Sequence, residues 1–152
     1  MEDFGRIRMF CFLILGSFIS NAQELQPFNE IESTLFRQPK PVVIKIYTDW
    51  CGVCAIQDRK IREDDELANL LNTRFYYLEL NAESKEPVFL KGNKYEFNPE
   101  AKVHELAVAL AGEEHANAYP AWVILNSDLE IIFLYNGLIK TNDLKRILNQ
   151  IP

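Results

Sequence analysis

The chain has three cysteines, Cys11, Cys51 and Cys54, and two of them stand two residues apart in Asp49-Trp50-Cys51-Gly52-Val53-Cys54. Sulfurs at that spacing serve three chemistries: a redox couple, half of a metal site, or a structural clip. A clip gains little here, because cross-link stabilisation grows with the logarithm of loop length and this loop is tiny. A structural zinc site takes about four ligands. The only imidazoles are His104 and His115, too far apart for the usual histidine pair, and there is no second Cys-x-x-Cys. The pattern therefore predicts thiol–disulfide chemistry, with no metal and no organic cofactor.

Position decides which sulfur attacks. Val42 to Tyr47 (VVIKIY) is short and rich in β-branched residues, so it reads as a buried strand. A helix is expected from Cys54 to Lys60. Cys51 then occupies a helix N-terminus, where unpaired N–H groups and a partial charge of roughly +0.5 favour a thiolate. The thiolate is the nucleophile in disulfide exchange. Cys54, one turn further on and shielded, can attack the mixed disulfide that Cys51 forms.

The remaining segments must hold this junction in place. Pro27 to Arg37 spaces Phe28, Ile31, Leu35 and Phe36 as a helix does, and Pro39 and Pro41 end it. Asp64 or Asp65 can cap a helix through Leu67, Leu70 and Leu71. Phe75 to Leu80 (FYYLEL) reads as a second strand, parallel to the first through a crossover. Asn81 to Ala118 is too long for a plain connection. Within it, Val88-Phe89-Leu90 and Tyr95-Glu96-Phe97 flank a hairpin turn. Asn98 is expected to cap a helix with Pro99 at its first position, burying Val103, Leu106, Ala107 and Leu110 and ending at Gly112. Ala121 to Leu125 and Glu130 to Tyr135 form an antiparallel pair, which Gly137 ends. Thr141 can cap a last helix presenting Leu144, Ile147, Leu148 and Ile151, with Asp143 complementing its dipole. The sum is an α/β fold: a mixed β-sheet with helices on both faces.

Residues 1–22 differ in kind. Arg6 and Arg8 precede an apolar run from Met9 to Ile19, and Ser20-Asn21-Ala22 offers a cleavage site before Gln23. This is the pattern of a cleaved signal peptide. The run is shorter than the about 20 residues a membrane span needs, and Cys11 lies inside it, which argues against a lipid anchor. Cleavage leaves Cys51 and Cys54 as the only cysteines of residues 23–152, exported to a periplasmic-type compartment where disulfides persist. The formal net charge of −6, without a basic cluster, argues against nucleic acid as a partner.

The strand VVIKIYTDW, the motif WCGVC and Tyr119-Pro120-Ala121-Trp122 together resemble the thioredoxin superfamily. The resemblance runs from about Lys40 to the C-terminus, with residues of about 82–118 as a hairpin-plus-helix insert. It implies a thioredoxin fold and a cis-proline at Pro120 facing the cysteines. Such a bond would leave the backbone of Tyr119 free to pair with a substrate strand. Trp50 would shape the surface beside Cys51. Without the motif, Pro120 would read as an ordinary first residue of a strand.

One departure stands out. The family carries a buried aspartate six residues before the first cysteine, which exchanges a proton with the resolving cysteine. Lys45 occupies that position. The family's lysine on the neighbouring strand is matched by Glu79. The charges are inverted, and a lone buried charge costs several kcal/mol unless paired, so Lys45 and Glu79 are expected to compensate each other. Glu79 becomes the candidate general base toward Cys54, with Lys45 as its partner. Alternatively, the two side chains reach solvent. Asp49 and His115 read most simply as exposed residues.

The resemblance implies a thiol–disulfide oxidoreductase acting on protein thiols and disulfides, supplied with electrons by a membrane protein. Gly-Val between the cysteines is one residue from the thioredoxin Gly-Pro, which leans toward a reductant. An oxidase or isomerase, and a binding module with a vestigial cysteine pair, remain as alternatives.

Overall fold

The computed structural model describes residues 27–115 and 117–152. The expected signal peptide, with Cys11, lies outside the described residues. A single 3-10 turn at Phe28–Glu30 leads into α1 (Ile31–Arg37). Then follow β1 (Val42–Tyr47), α2 (Gly52–Arg62), α3 (Asp65–Arg74) and β2 (Tyr76–Asn81). The insert contains β3 (Val88–Leu90), β4 (Asn93–Tyr95), β5 (Phe97–Asn98), β6 (Val103–His104) and α4 (Glu105–Ala111). The chain closes with β7 (Ala121–Leu125), β8 (Ile131–Asn136) and α5 (Thr141–Gln150).

The central sheet runs β2-β1-β7-β8. β1 and β2 are parallel, while β7 is antiparallel to both β1 and β8. Strand alternation sorts side chains to two faces. Val42, Ile44 and Ile46 pack with Ile31 and Leu35 of α1 and Leu106, Ala107 and Leu110 of α4. Val43, Tyr77, Trp122 and Ile124 pack with Ile61 of α2, Leu67 and Leu71 of α3, and Leu144 and Leu148 of α5. By the same alternation Lys45 lies on the second face, beneath the helix that carries the cysteines. That helix buries Cys54, Gln57 and Ile61, one face at helical spacing.

Three local expectations are corrected. Asn98 and Pro99 do not start a helix. The Asn98 side chain instead accepts the N–H groups of Glu100 and Ala101, a turn that competes with helix formation. Lys102, at φ 55°, helps to reverse the chain so that β6 pairs back onto β5. The helix starts only after His104, whose ring Nδ1 accepts the Leu106 N–H. Thr141 is the first residue of α5 and not its cap; Lys140 holds that place without a side-chain bond. Phe36 is 93% exposed, because the short α1 has room to bury only Ile31 and Leu35, one turn apart.

A fourth expectation also shifts: the hairpin's second strand is Asn93–Tyr95 and not Tyr95–Phe97, because Lys91 and Gly92 alone make the turn. Other bounds hold. Asp64 caps α3 through the Leu67 N–H. Gly112 ends α4 at a φ of 82°, where a side chain would be strained. The β3–β4 hairpin turns on Lys91 and Gly92, both at positive φ, as a two-residue turn matching strand twist demands.

Candidate active site

Tyr47 ends β1, and four residues later Cys51 forms the N-cap of α2. Its sulfur accepts the Cys54 N–H at 3.1 Å, one of the donors that a helix start leaves unpaired. Cys51 and Cys54 are joined in a disulfide. Cys51 keeps 9% of its surface, whereas Cys54 keeps 2%. Cys51 is thus the more exposed residue of the pair.

Trp50 is 69% exposed beside the pair. Its indole N–H donates to Glu83 Oε1 at 3.0 Å, and its ring meets Tyr119 edge-on at 6.1 Å. The Tyr119–Pro120 peptide bond is cis. The ring contact brings this bend, at the start of β7, against the residue that precedes Cys51. Trp50, next to Cys51 in the chain, and Tyr119, which forms the cis bond with Pro120, are thus in direct ring contact. Glu83 was not singled out from the sequence. It lies just past β2, in a turn held by its N–H to Asn81 Oδ1. Burial raises the Tyr119 phenol above its usual range, and the Glu83 charge adds to the effect.

Lys45 is fully buried, and its ammonium reaches two carboxylates. One is Glu79, 2.5 Å away and directly opposite in the parallel β1–β2 register. The expected pairing of the inverted charges is thus formed. The other is Asp58 on α2, which sequence reasoning missed. The usable signal was its place one turn after Cys54 in a helix expected to cross a buried lysine.

Two tyrosines complete the cluster. The Tyr77 hydroxyl donates to Glu79 Oε1 at 3.0 Å. Burial pushes the Tyr77 phenol well above its ordinary value, with the Glu79 charge acting in the same direction. The Tyr47 ring lies 5.3 Å from the Lys45 ammonium. Its phenol is raised by burial first, then by Glu79, Asp49 and Asp58. Three carboxylates therefore converge on the end of β1 that leads into the cysteine motif.

The histidines do other work. His104 is completely buried; Nδ1 accepts from Leu106 and Nε2 lies 3.1 Å from the Glu86 carbonyl, so its ring ties α4 to the loop after β2. His115 is exposed on the turn after α4. Among the described residues, no cluster of His, Cys, Asp and Glu is arranged to hold a metal ion.

Comparison with known proteins agrees with this fold. Among solved structures, the C-terminal domain of DsbD from Neisseria meningitidis in its reduced form is 18% identical, with a TM-score of 0.53 over 80% of this chain and 90% of that one. A disulphide isomerase from Xylella fastidiosa Temecula1 is 19% identical, with a TM-score of 0.56 over 80% and 86%. A protein described as DsbH oxidoreductase is 14% identical, with a TM-score of 0.57 over 100% and 96%. At these identities the likeness is one of fold. No curated protein sequence matches the chain significantly. A family model described as a thioredoxin-like domain matches residues 29–152. That match, with the disulfide of WCGVC in its place, supports oxidoreductase activity. The chain belongs to the thioredoxin-like family.

Proposed function

We propose that the protein reduces disulfides of other proteins in an exported, periplasmic-type compartment, working by exchange through Cys51 with Cys54 resolving. The carrying observation is the pair itself: Cys51 caps α2 and is the more exposed of the two, and the adjoining Trp50 meets Tyr119 of the cis Tyr119–Pro120 bond. In the reduced protein the Cys51 thiolate attacks a substrate disulfide and one substrate sulfur leaves as a thiolate. Cys54 then gives up its proton and attacks Cys51. The Cys51–Cys54 disulfide forms and the second substrate sulfur leaves. Two electrons pass to the substrate, and a dithiol donor, such as a membrane thiol protein, must restore the pair.

Direction is argued from charge. A bare Lys45 cation under α2 would favour thiolates, stabilise the reduced pair and make the protein an oxidant or isomerase. Lys45 is not bare: Asp58 and Glu79 set two formal negative charges against its one positive charge. The balance favours a reductant. Redox titration of the purified protein decides. A potential near about −270 mV supports reduction, and one near about −120 mV supports oxidation. Failure to reduce insulin, with no measurable equilibrium against glutathione, would leave a binding module with a vestigial pair.

A further inference from the structure

We infer that Asp58 is the group that takes the proton of Cys54 when Cys54 resolves the mixed disulfide, with Lys45 and Glu79 holding it in position. The inference rests on the exchange reaction proposed above. It moves the proton-accepting role from Glu79, on the neighbouring strand, to the helix that carries the cysteines.

Two observations and the geometry of helices converge. Cys54 and Asp58 stand four residues apart on α2, which places their Cβ atoms about 5–6 Å apart on adjoining turns. Helical side chains tilt toward the N-terminus, so the Asp58 carboxylate leans toward the Cys54 turn. Reach of that length is closed directly or through one water. Glu79 is worse placed for the task. Its Oε1 already accepts both the Lys45 ammonium and the Tyr77 hydroxyl, and it stands one strand beyond Lys45.

Access separates the two roles further. The Lys45 side chain has no exposed surface, while that of Asp58 keeps 29%. A proton received by Asp58 can therefore pass to water or to the departing substrate thiolate. Lys45 is the anchor: a buried cation bonded to Asp58 holds the carboxylate turned inward.

The step balances. The Cys54 thiol gives its proton to the Asp58 carboxylate, and the Cys54 thiolate attacks Cys51 Sγ. The Cys51–Cys54 bond forms, the Cys51–substrate bond breaks, and the substrate sulfur leaves with the electron pair. It takes the proton from Asp58 or from water. The charged and titratable groups facing this step are Asp58 and Cys54 on α2, Lys45 and Tyr47 on β1, Tyr77 and Glu79 on β2, and Asp49 in the loop before Cys51.

The test follows both chemical steps in the full protein by rapid mixing, using a fluorescent peptide disulfide as the probe, from acid to mildly alkaline pH. Attack by Cys51 is read in a Cys54→Ser background and resolution in the intact pair. Asp58→Asn is expected to slow resolution on the order of a hundredfold at neutral pH. It should slow attack far less and recover as rising pH ionises Cys54 unaided. Asp58→Glu should restore a large part of the rate, and Glu79→Gln should slow resolution less than Asp58→Asn does. A wild-type resolution rate and pH profile in Asp58→Asn would overturn the assignment while leaving disulfide exchange intact. A wild-type protein that exchanges no disulfide would overturn both. Should Asp58→Asn fail to fold, carbon-13 NMR of wild-type Asp58 decides. Its carboxyl titration should differ between the dithiol and disulfide forms, because coupled groups share their protons. Identical titration in both forms would refute the role.

Discussion

Lys45 and Glu79 face each other across the parallel β1–β2 pair, with 2.5 Å between ammonium and carboxylate. The register fixes this contact, and α2 adds Asp58 from above. A buried cation thus ties two strands and the cysteine-bearing helix together.

Lys45→Met should therefore destabilise the fold, because it leaves two carboxylates facing each other without their cation. Breaking a fully buried pair costs about 3–5 kcal/mol, and the partial exposure of both carboxylates places this case near or below the low end. Adding Asp58→Asn and Glu79→Gln to Lys45→Met should recover much of the loss. Urea midpoints of the single and triple variants check this.

Asp64 is a partly buried carboxylate whose titration is held below the usual range. The chief cause is its bond to the Leu67 N–H, and Lys145 adds to it. A group with a depressed folded-state pKa contributes stability above its unfolded value, about 3.9, and loses that contribution as pH falls through the folded value. Asp64→Ala should cost about 1 kcal/mol at neutral pH, the usual worth of an N-cap. The gap between wild type and variant should narrow on acidification below about pH 4. Urea unfolding at several pH values measures both.

Glu83 holds the Trp50 indole N–H and adds to the upward shift of the Tyr119 phenol. In Glu83→Gln, Tyr119 should titrate closer to an ordinary phenol, though still raised by burial. Ultraviolet difference titration against a Tyr119→Phe control isolates the signal. Trp50, released from the carboxylate, should show altered fluorescence.

His104 is expected to matter for stability and not for exchange. His104→Ala removes the acceptor of the Leu106 N–H and the ring partner of the Glu86 carbonyl. A cost of about 2–3 kcal/mol follows from stranding buried polar groups. Insulin reduction per folded molecule should be unchanged.

These residues also show what could be read without coordinates. The sheet, its crossover and the cysteine junction were legible, because β-branched runs and helical spacing are local signals. The Lys45–Glu79 pair was legible from burial logic: each stood in an otherwise apolar strand. Asp58 was not, because its partner lies on a strand packed beneath its helix. Glu83 was hidden in a turn whose approach to Trp50 depends on the whole sheet. The Asn98 segment misled because one residue type both caps helices and closes turns, and only the β5–β6 pairing chose between them.

The central claim is that Cys51 attacks and Cys54 resolves. Its most direct test is to express Cys54→Ser and Cys51→Ser proteins in a cell that exports them and to trap mixed disulfides by acid quench. Cys54→Ser should accumulate protein adducts that dithiothreitol releases, while Cys51→Ser accumulates none. Adducts of equal yield on both variants, or on neither, would contradict the account.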